Sequence, residues 1–349
     1  MSDSPGLAPH AFAVVLSAYD GAAHVEAQVQ SIVEQTARGW RLYVRDDSSR
    51  DDTYHRLEGL AAREPRMELL PPDGLNLGPA ASFGLLLQHA LDRGERYVFL
   101  SDQDDVWLPD KCERMMAAMR AHEEETGADM PLLVHTDLRV VDDSLQTLQE
   151  SFTRYLRIDA AEEQRARRLL FGNSVTGCAT LVNAALLRCA LPMPQVAMHD
   201  WWLGLCAGAF GRVEFLDAPA VLYRQHGRNV VGARGLAARA TTVLRTPRAW
   251  WLDSAGRFLA GLRQVWALRD RARARGLSMT EDVREAVELL WSGLAERSTL
   301  CSRMRSVARS RAWPRSLPMR ALLLARVAFL PALRQRLGDE RAGLAKAGP

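Results

Sequence analysis

Four times in the first third of the chain a short apolar run ends in small or acidic residues and gives way to a helical pattern. The runs are AFAVVLSAY (11–19), RLYVRDD (41–47), MELL (67–70) and YVFLSD (97–102), and the helical stretches are 24–37, 52–64, 79–93 and one from Pro109. A strand covered on both faces is apolar throughout, so the alternation predicts an α/β fold with a parallel sheet covered by helices on both faces. Sheets of this kind bind ligands beyond the carboxyl ends of their strands. Few other architectures accommodate such a pattern.

Further on, LLVHTDLRVV (132–141) and SVTGCATLV (174–182) read as strands and 159–171 as a polar helix. HDWWLGLCAGAFG (199–211) reads as an apolar helix closed by its glycine, and RVEFLD and AVLYRQH as two more strands. Strand signals then stop. From about 234 the chain is arginine-rich helix broken by Gly235, Gly276 and Pro314. The expected division is therefore an α/β domain over 1–232 and an all-helical extension over 233–349. Charge follows it: residues 1–230 hold 22 basic and 33 acidic residues, and 231–349 hold 23 and 9, an acidic front and a basic rear. With 48% hydrophobic and 25% charged residues the chain is of ordinary globular make-up, which excludes disorder. Five scattered cysteines form no CxxC pair and no zinc spacing, and point to a reducing compartment. The first residues, MSDSPGLAPHAF, lack the basic and apolar regions of a secretory signal, and no apolar run reaches membrane-spanning length. A cytoplasmic protein is expected.

Polar residues gather where three predicted strands end: Ser17-Ala18-Tyr19-Asp20, Asp46-Asp47-Ser48-Ser49 and Asp102-Gln103-Asp104-Asp105. Asp and Ser favour helix N-caps, which accounts for one such cluster. Three on one rim exceed that need. Crowded carboxylates repel unless a cation lies among them, and oxygen ligands favour magnesium or manganese.

In order, FAVVLSAYDG, VRDDSSRDDT, NLGPAASF and YVFLSDQDDVWLPDK resemble the family 2 glycosyltransferases of GT-A fold, in particular their rhamnosyltransferase-like members. The resemblance spans roughly 11–232 and implies a mixed, mainly parallel sheet flanked by helices. It implies an inverting, metal-dependent enzyme that moves a sugar, L-rhamnose first among those named, from a dTDP- or UDP-linked donor to an acceptor hydroxyl in bacterial surface polysaccharide synthesis. On this chain it gives Ser17 and Tyr19 to the base and ribose, and Asp47 to the pyrimidine N–H. Asp102-Gln103-Asp104 matches the DxD motif, with Asp104 on the metal (Mn2+ or Mg2+) and Asp102 on the ribose or the metal's water shell. Asp200 in MHDWWL becomes the general base, with an N-cap as the alternative reading. YRQHGRN (223–229) matches a late motif in which His226 completes the metal shell while Arg224 and Asn229 hold phosphate. Gly177 in FGNSVTGCATLVN lets backbone approach the donor sugar, or marks a β-bulge.

Two positions depart from the family pattern. Ser82 and Asp20 stand where many members carry Asn, and both are expected near the donor. The QxxRW motif of processive synthases is absent, which points to one sugar or a few per acceptor. A nucleotidyltransferase would show a glycine-rich loop after the first strand, and SAYDGAAH does not. A non-catalytic glycan- or membrane-binding relative would have lost Asp104 or Asp200, and both are present.

The basic rear carries Trp250, Trp251, Trp266, Trp291 and Trp313 among arginines, and 313–336 mixes apolar bulk with Arg315, Arg320, Arg326, Arg334 and Arg336. Two readings stand: an amphipathic surface peripheral on the inner face of a membrane, suited to a lipid-linked glycan acceptor, and a helical lid. No nucleic-acid-reading module is present.

Overall fold

The computed structural model describes residues 11–156, 165–225, 246–294, 298–312 and 317–337. By compactness the chain forms two units: 1–160 with 175–193 and 212–233, and 161–174 with 194–211 and 234–349.

The first unit is built on one sheet. Strands β1 (Phe12–Ala18), β2 (Trp40–Asp46), β3 (Met67–Leu69) and β4 (Tyr97–Ser101) run parallel in the order β3-β2-β1-β4. Beyond β4 the sheet continues through β8 (Thr180–Asn183), β6 (Leu132–Val141), β9 (Arg212–Arg224) and β5 (Val106–Trp107), with β7 (Thr147–Gln149) paired to β6. β8 is antiparallel to both of its neighbours, β6 and β9 are parallel, and β5 is antiparallel to β9. The order reverses between β1 and β4, whose carboxyl ends lie side by side. That is the switch point at which such sheets bind ligands.

Each element follows from its sequence. Six of the seven β1 residues are buried, the mark of a strand covered on both faces. Helix α1 (Val25–Val33) turns Val25, Val29 and Ile32 inward at spacings of four and three. Helix α2 (Thr53–Ala61) buries Leu57. Helix α3 (Pro79–Asp92) begins with Pro at its first position, after Gly78 at φ 77°. Helix α4 (Lys111–Thr126) packs Cys112, Met115, Met116 and Met119 on the sheet. Two short helices, α5 (Phe152–Leu156) and α7 (Ala184–Ala190), complete this unit, and the five-residue α6 (Arg165–Leu169) belongs to the second.

Several sequence expectations change. The fourth helix starts at Lys111, because Val106–Trp107 is taken into the sheet opposite Val221–Leu222. The expected strand 174–182 shrinks to Thr180–Asn183, preceded by a 3-10 turn over Gly177–Ala179. The two late strands are one, β9, whose pairing with β6 shifts register around Asp137 and so admits Pro219.

In the second unit, helix α8 (His199–Phe210) is buried on nearly every side. A helix that is apolar all round belongs in a core. Around it the unit places α9 (Pro247–Arg275), α10 (Glu281–Gly293), α11 (Leu300–Ser310), α12 (Leu317–Ala328) and α13 (Leu330–Leu337). On α9, Gly261 is required by close approach: a Cβ there would stand 2.6 Å from Trp201 Cη2. Trp266 is fully buried core and meets the half-buried Trp291 edge to face at 5.0 Å, with Arg269 over the Trp291 ring. Trp313 and Arg315 lie outside the described residues.

Candidate active site

At the rim of the first unit, the ends of β1, β2 and β4 come together as expected. Ser17 Oγ shares a 2.6 Å hydrogen bond with Ser82 Oγ of α3. Gln103 grips Tyr19 from both sides: its Oε1 accepts from Tyr19 N, and its Nε2 donates to Tyr19 O at 2.7 Å. Gln103, between Asp102 and Asp104, thus ties the β4 end to the β1 end.

Asp20 sits at φ 49°, where Asn and Asp are the tolerated side-chain-bearing residues. Its N–H donates to Ser49 Oγ and its carboxylate accepts from Arg50 N at 2.7 Å, which joins the β1 and β2 loops. Both Asn and Asp suit this backbone conformation, and the position holds the two loops together. Ser82 is fully buried, so the second departure concerns internal bracing: its hydroxyl also takes a 3.0 Å bond from Arg45 Nη1.

Asp46 is held by Ser49, through both its N–H and its hydroxyl. The Asp47 carboxylate accepts from Leu77 N at 2.9 Å, Gly78 N at 2.8 Å and the Arg45 guanidinium. It keeps acceptor capacity on Oδ2, since a carboxylate has about four lone-pair positions. Arg45 is itself buried and forks onto Asp73 and the Leu75 carbonyl.

Sequence reasoning missed Arg45. A charged residue inside an apolar strand beside two aspartates was the available signal. Arg45 answers much of the charge crowding that the acidic strand ends implied.

Asp105 is fully buried. Burial first, then the Asp104 and Asp102 carboxylates, push it well above the usual carboxylate range. Its Oδ1 accepts from Arg224 N at 3.2 Å, and its Oδ2 is a buried atom without a hydrogen-bond partner. Arg224, also buried, donates Nε to Asp104 O at 3.0 Å and Nη1 to the Asp143 carbonyl, so it braces the motif loop. Asp102 and Asp104 are the partly exposed acids of the loop. Ligand atoms of Asp102, Asp105 and Cys178 converge within 4.8 Å, and Asp104 is not in that cluster. The orphaned Asp105 Oδ2 beside Asp102 fits a cation, and the carboxylate oxygens fit a hard divalent ion. The Cys178 thiol fits poorly, because burial pushes it well above its ordinary range and holds the proton on sulfur.

Gly177 lies buried in the 3-10 turn, not in a bulge, one residue before the Cys178 carbonyl that takes a 2.6 Å bond from Lys111 Nζ. His226 and Asn229 lie outside the described residues.

In the second unit, Asp200 is the second residue of α8, behind Met198 at the N-cap position, so the capping alternative is not what the helix shows. It is buried, and its Oδ1 accepts from Asn173 Nδ2 at 3.0 Å and from Trp201 N at 2.6 Å.

Residues 13–170 match the family model Glycosyl transferase family 2. Over 228 residues the chain is 24% identical to the dTDP-rhamnosyl transferase RfbG of Shigella flexneri, covering 62% of this chain and 74% of that protein. Over 106 residues it is 28% identical to the E. coli UDP-Glc:alpha-D-GlcNAc-diphosphoundecaprenol beta-1,3-glucosyltransferase WfgD, covering 30% of this chain and 40% of that one. The crystal structure of S. aureus TarS 1–349 shares the fold, at 14% identity and a TM-score of 0.50, over 93% of this chain and 91% of that one.

Switch-point site, GT-A sheet and family match together define a glycosyltransferase. The family 2 match lies on residues 13–170, a dTDP-rhamnosyl transferase is among the similar proteins, and C-terminal helices accompany the sheet.

Proposed function

We propose that the chain adds one sugar or a few, L-rhamnose from dTDP-rhamnose as the first candidate, to a hydroxyl of a bacterial surface glycan with inversion at the anomeric carbon. The observation that carries this reading is the rim itself. Asp46 and Asp47 are buried and held by the protein, and Asp102 and Asp104 are partly exposed on the β4 loop that Gln103 ties to the β1 end. Ser17, Tyr19 and the remaining lone pair of Asp47 receive the pyrimidine nucleoside. Gln103 and Arg224 act mainly by fixing the loops.

Asp102, with Asp104, would hold Mn2+ or Mg2+, which when bound neutralises charge on the leaving diphosphate. Gly177 lines the donor-sugar side, and Asp200 takes the acceptor proton. His226 and Asn229 keep the metal and phosphate roles implied by the resemblance. Titration calorimetry with dTDP, UDP and GDP, each with and without Mn2+, tests this: metal-dependent binding of dTDP or UDP is expected. No binding to a folded sample would return the chain to the non-catalytic alternative.

A second element concerns location. Among the described residues no helix is long and apolar enough to cross a membrane. Helices α12 and α13 and the residue between them nevertheless expose Leu317 (76%), Met319 (47%) and Phe329 (60%), with Arg320 exposed on α12. This supports a peripheral contact with anionic lipid, where each basic residue contributes about 1 kcal/mol. Sedimentation with phosphatidylglycerol vesicles tests it. Binding that survives Leu317→Ser with Phe329→Ser would exclude these helices.

A further inference from the structure

Of the 45 basic residues only Lys111 and Lys346 are lysines. Lys111 is fully buried. Its stem opens α4, its Nζ lies 3.3 Å from the centroid of the Trp107 ring, and it donates to Cys178 O at 2.6 Å. A chain that uses arginine almost everywhere keeps here the one cation-forming side chain whose head is compact. An ammonium is a compact charge that an indole face and a single carbonyl can serve, whereas a guanidinium brings five donors in a rigid fork that need more acceptors.

The two segments that Lys111 joins matter. Trp107 follows the Asp102–Asp105 loop, and Cys178 belongs to the Gly177–Ala179 turn. The turn also meets that loop from the other side, where Cys178 Sγ and carboxylate oxygens of Asp102 and Asp105 lie within 4.8 Å of one another. No core of apolar contacts requires a polar head at this place, and desolvating one is costly unless it is bonded. A methionine would fill the same stem volume.

We propose that Lys111 is a positioning residue for the diphosphate end of the donor: through Cys178 O and the Trp107 face it fixes the 177–179 turn against the 102–105 loop. The inference rests on the nucleotide-sugar reading given above. Lys111 itself touches no substrate. It acts through the carbonyl it holds, so its loss should be felt by ligands that reach the motif loop and not by those that stop at the β1 and β2 ends.

The test is Lys111→Met in the full chain, titrated well below its own unfolding midpoint. The probes are Mn2+ with UDP, Mn2+ with dTDP, and UMP and dTMP alone. The expected result is a tenfold or greater loss of affinity for at least one metal–diphosphate, with both monophosphates within twofold of wild type. Diphosphate affinity within twofold of wild type overturns the proposal. So does a parallel loss for all four probes, which would mark a general structural role. If Lys111→Met does not fold, Lys111→Gln is read by the same outcomes. Wild-type protein that binds none of the probes overturns the nucleotide-sugar reading itself, a result distinct from either failure above.

Discussion

Gly21 lies against the amide of Gln103: a Cβ added to it would stand 2.5 Å from Gln103 Cδ and 2.5 Å from Oε1. That amide cannot swing aside freely, because both of its polar atoms hold the Tyr19 backbone. Gly21→Ala is expected to cost about 1–3 kcal/mol, the usual range for overpacking a fitted site. Gln103→Ala in the same chain should recover part of it. A double-mutant cycle by urea unfolding measures the coupling, and strictly additive losses would show that the two residues do not meet.

Asp200→Asn preserves the shape of the side chain and its contacts with Asn173 and Trp201 while removing a basic oxygen. Turnover should fall by about a hundredfold or more, in the range set by general-base catalysis, with metal–nucleotide affinity within twofold. A variant that transfers sugar at the wild-type rate would end the assignment.

Removal of divalent ions with EDTA should abolish transfer, and added Mn2+ or Mg2+ should restore it. Asp102→Asn should raise the metal concentration needed for half activity by about tenfold or more, since it replaces an anionic ligand with a neutral one. Activity indifferent to EDTA would exclude a metal from the reaction.

His199 is fully buried, and burial pushes its pKa down to about 3 from an ordinary 6.5. In the unfolded chain the imidazole takes up a proton as pH falls through its ordinary value, and in the folded chain it does not. The associated stability is therefore fully present above about pH 6.5 and drains towards pH 3, by at most about 1.4 kcal/mol per unit. Urea midpoints at pH 7 and pH 5 should show the decline, and His199→Gln should flatten it.

Of the five cysteines, Cys301 is exposed, Cys189 is half-buried, and Cys112, Cys178 and Cys206 are buried. Burial pushes the Cys112 thiol up to about 12. A native thiol titration should find one fast-reacting group, and Cys301→Ser should remove it.

The parallel half of the sheet is readable in the sequence because its longer strands are mainly apolar runs, β1 and β4 almost without interruption and β2 despite Arg41 and Arg45. Strand β5 is not, since two residues carry no period and Val106–Trp107 is recruited by the distant β9. The β9 strand was masked by Pro219, which sits where pairing with β6 changes register. At the site, the strand-end acids were legible as a group but not their compensation. Arg45 meets Asp73 across 28 residues and Arg224 meets Asp104 across 120, separations that no local pattern reports. The position of Asp200 inside a buried helix of the second unit likewise depends on packing by α6 and α9, whose sequences carry no mark of it.

The buried Ser82 hydroxyl is shared by Ser17 and Arg45, and Arg45 also holds Asp47. A longer side chain at position 82 cannot occupy that space and leave the other three unmoved. Residues 17, 45, 47 and 82 should thus be inherited as a set. Among relatives an asparagine at position 82 should arrive together with changes at 17 or 45, and Ser82→Asn introduced alone should disturb the pocket that each full set keeps in order.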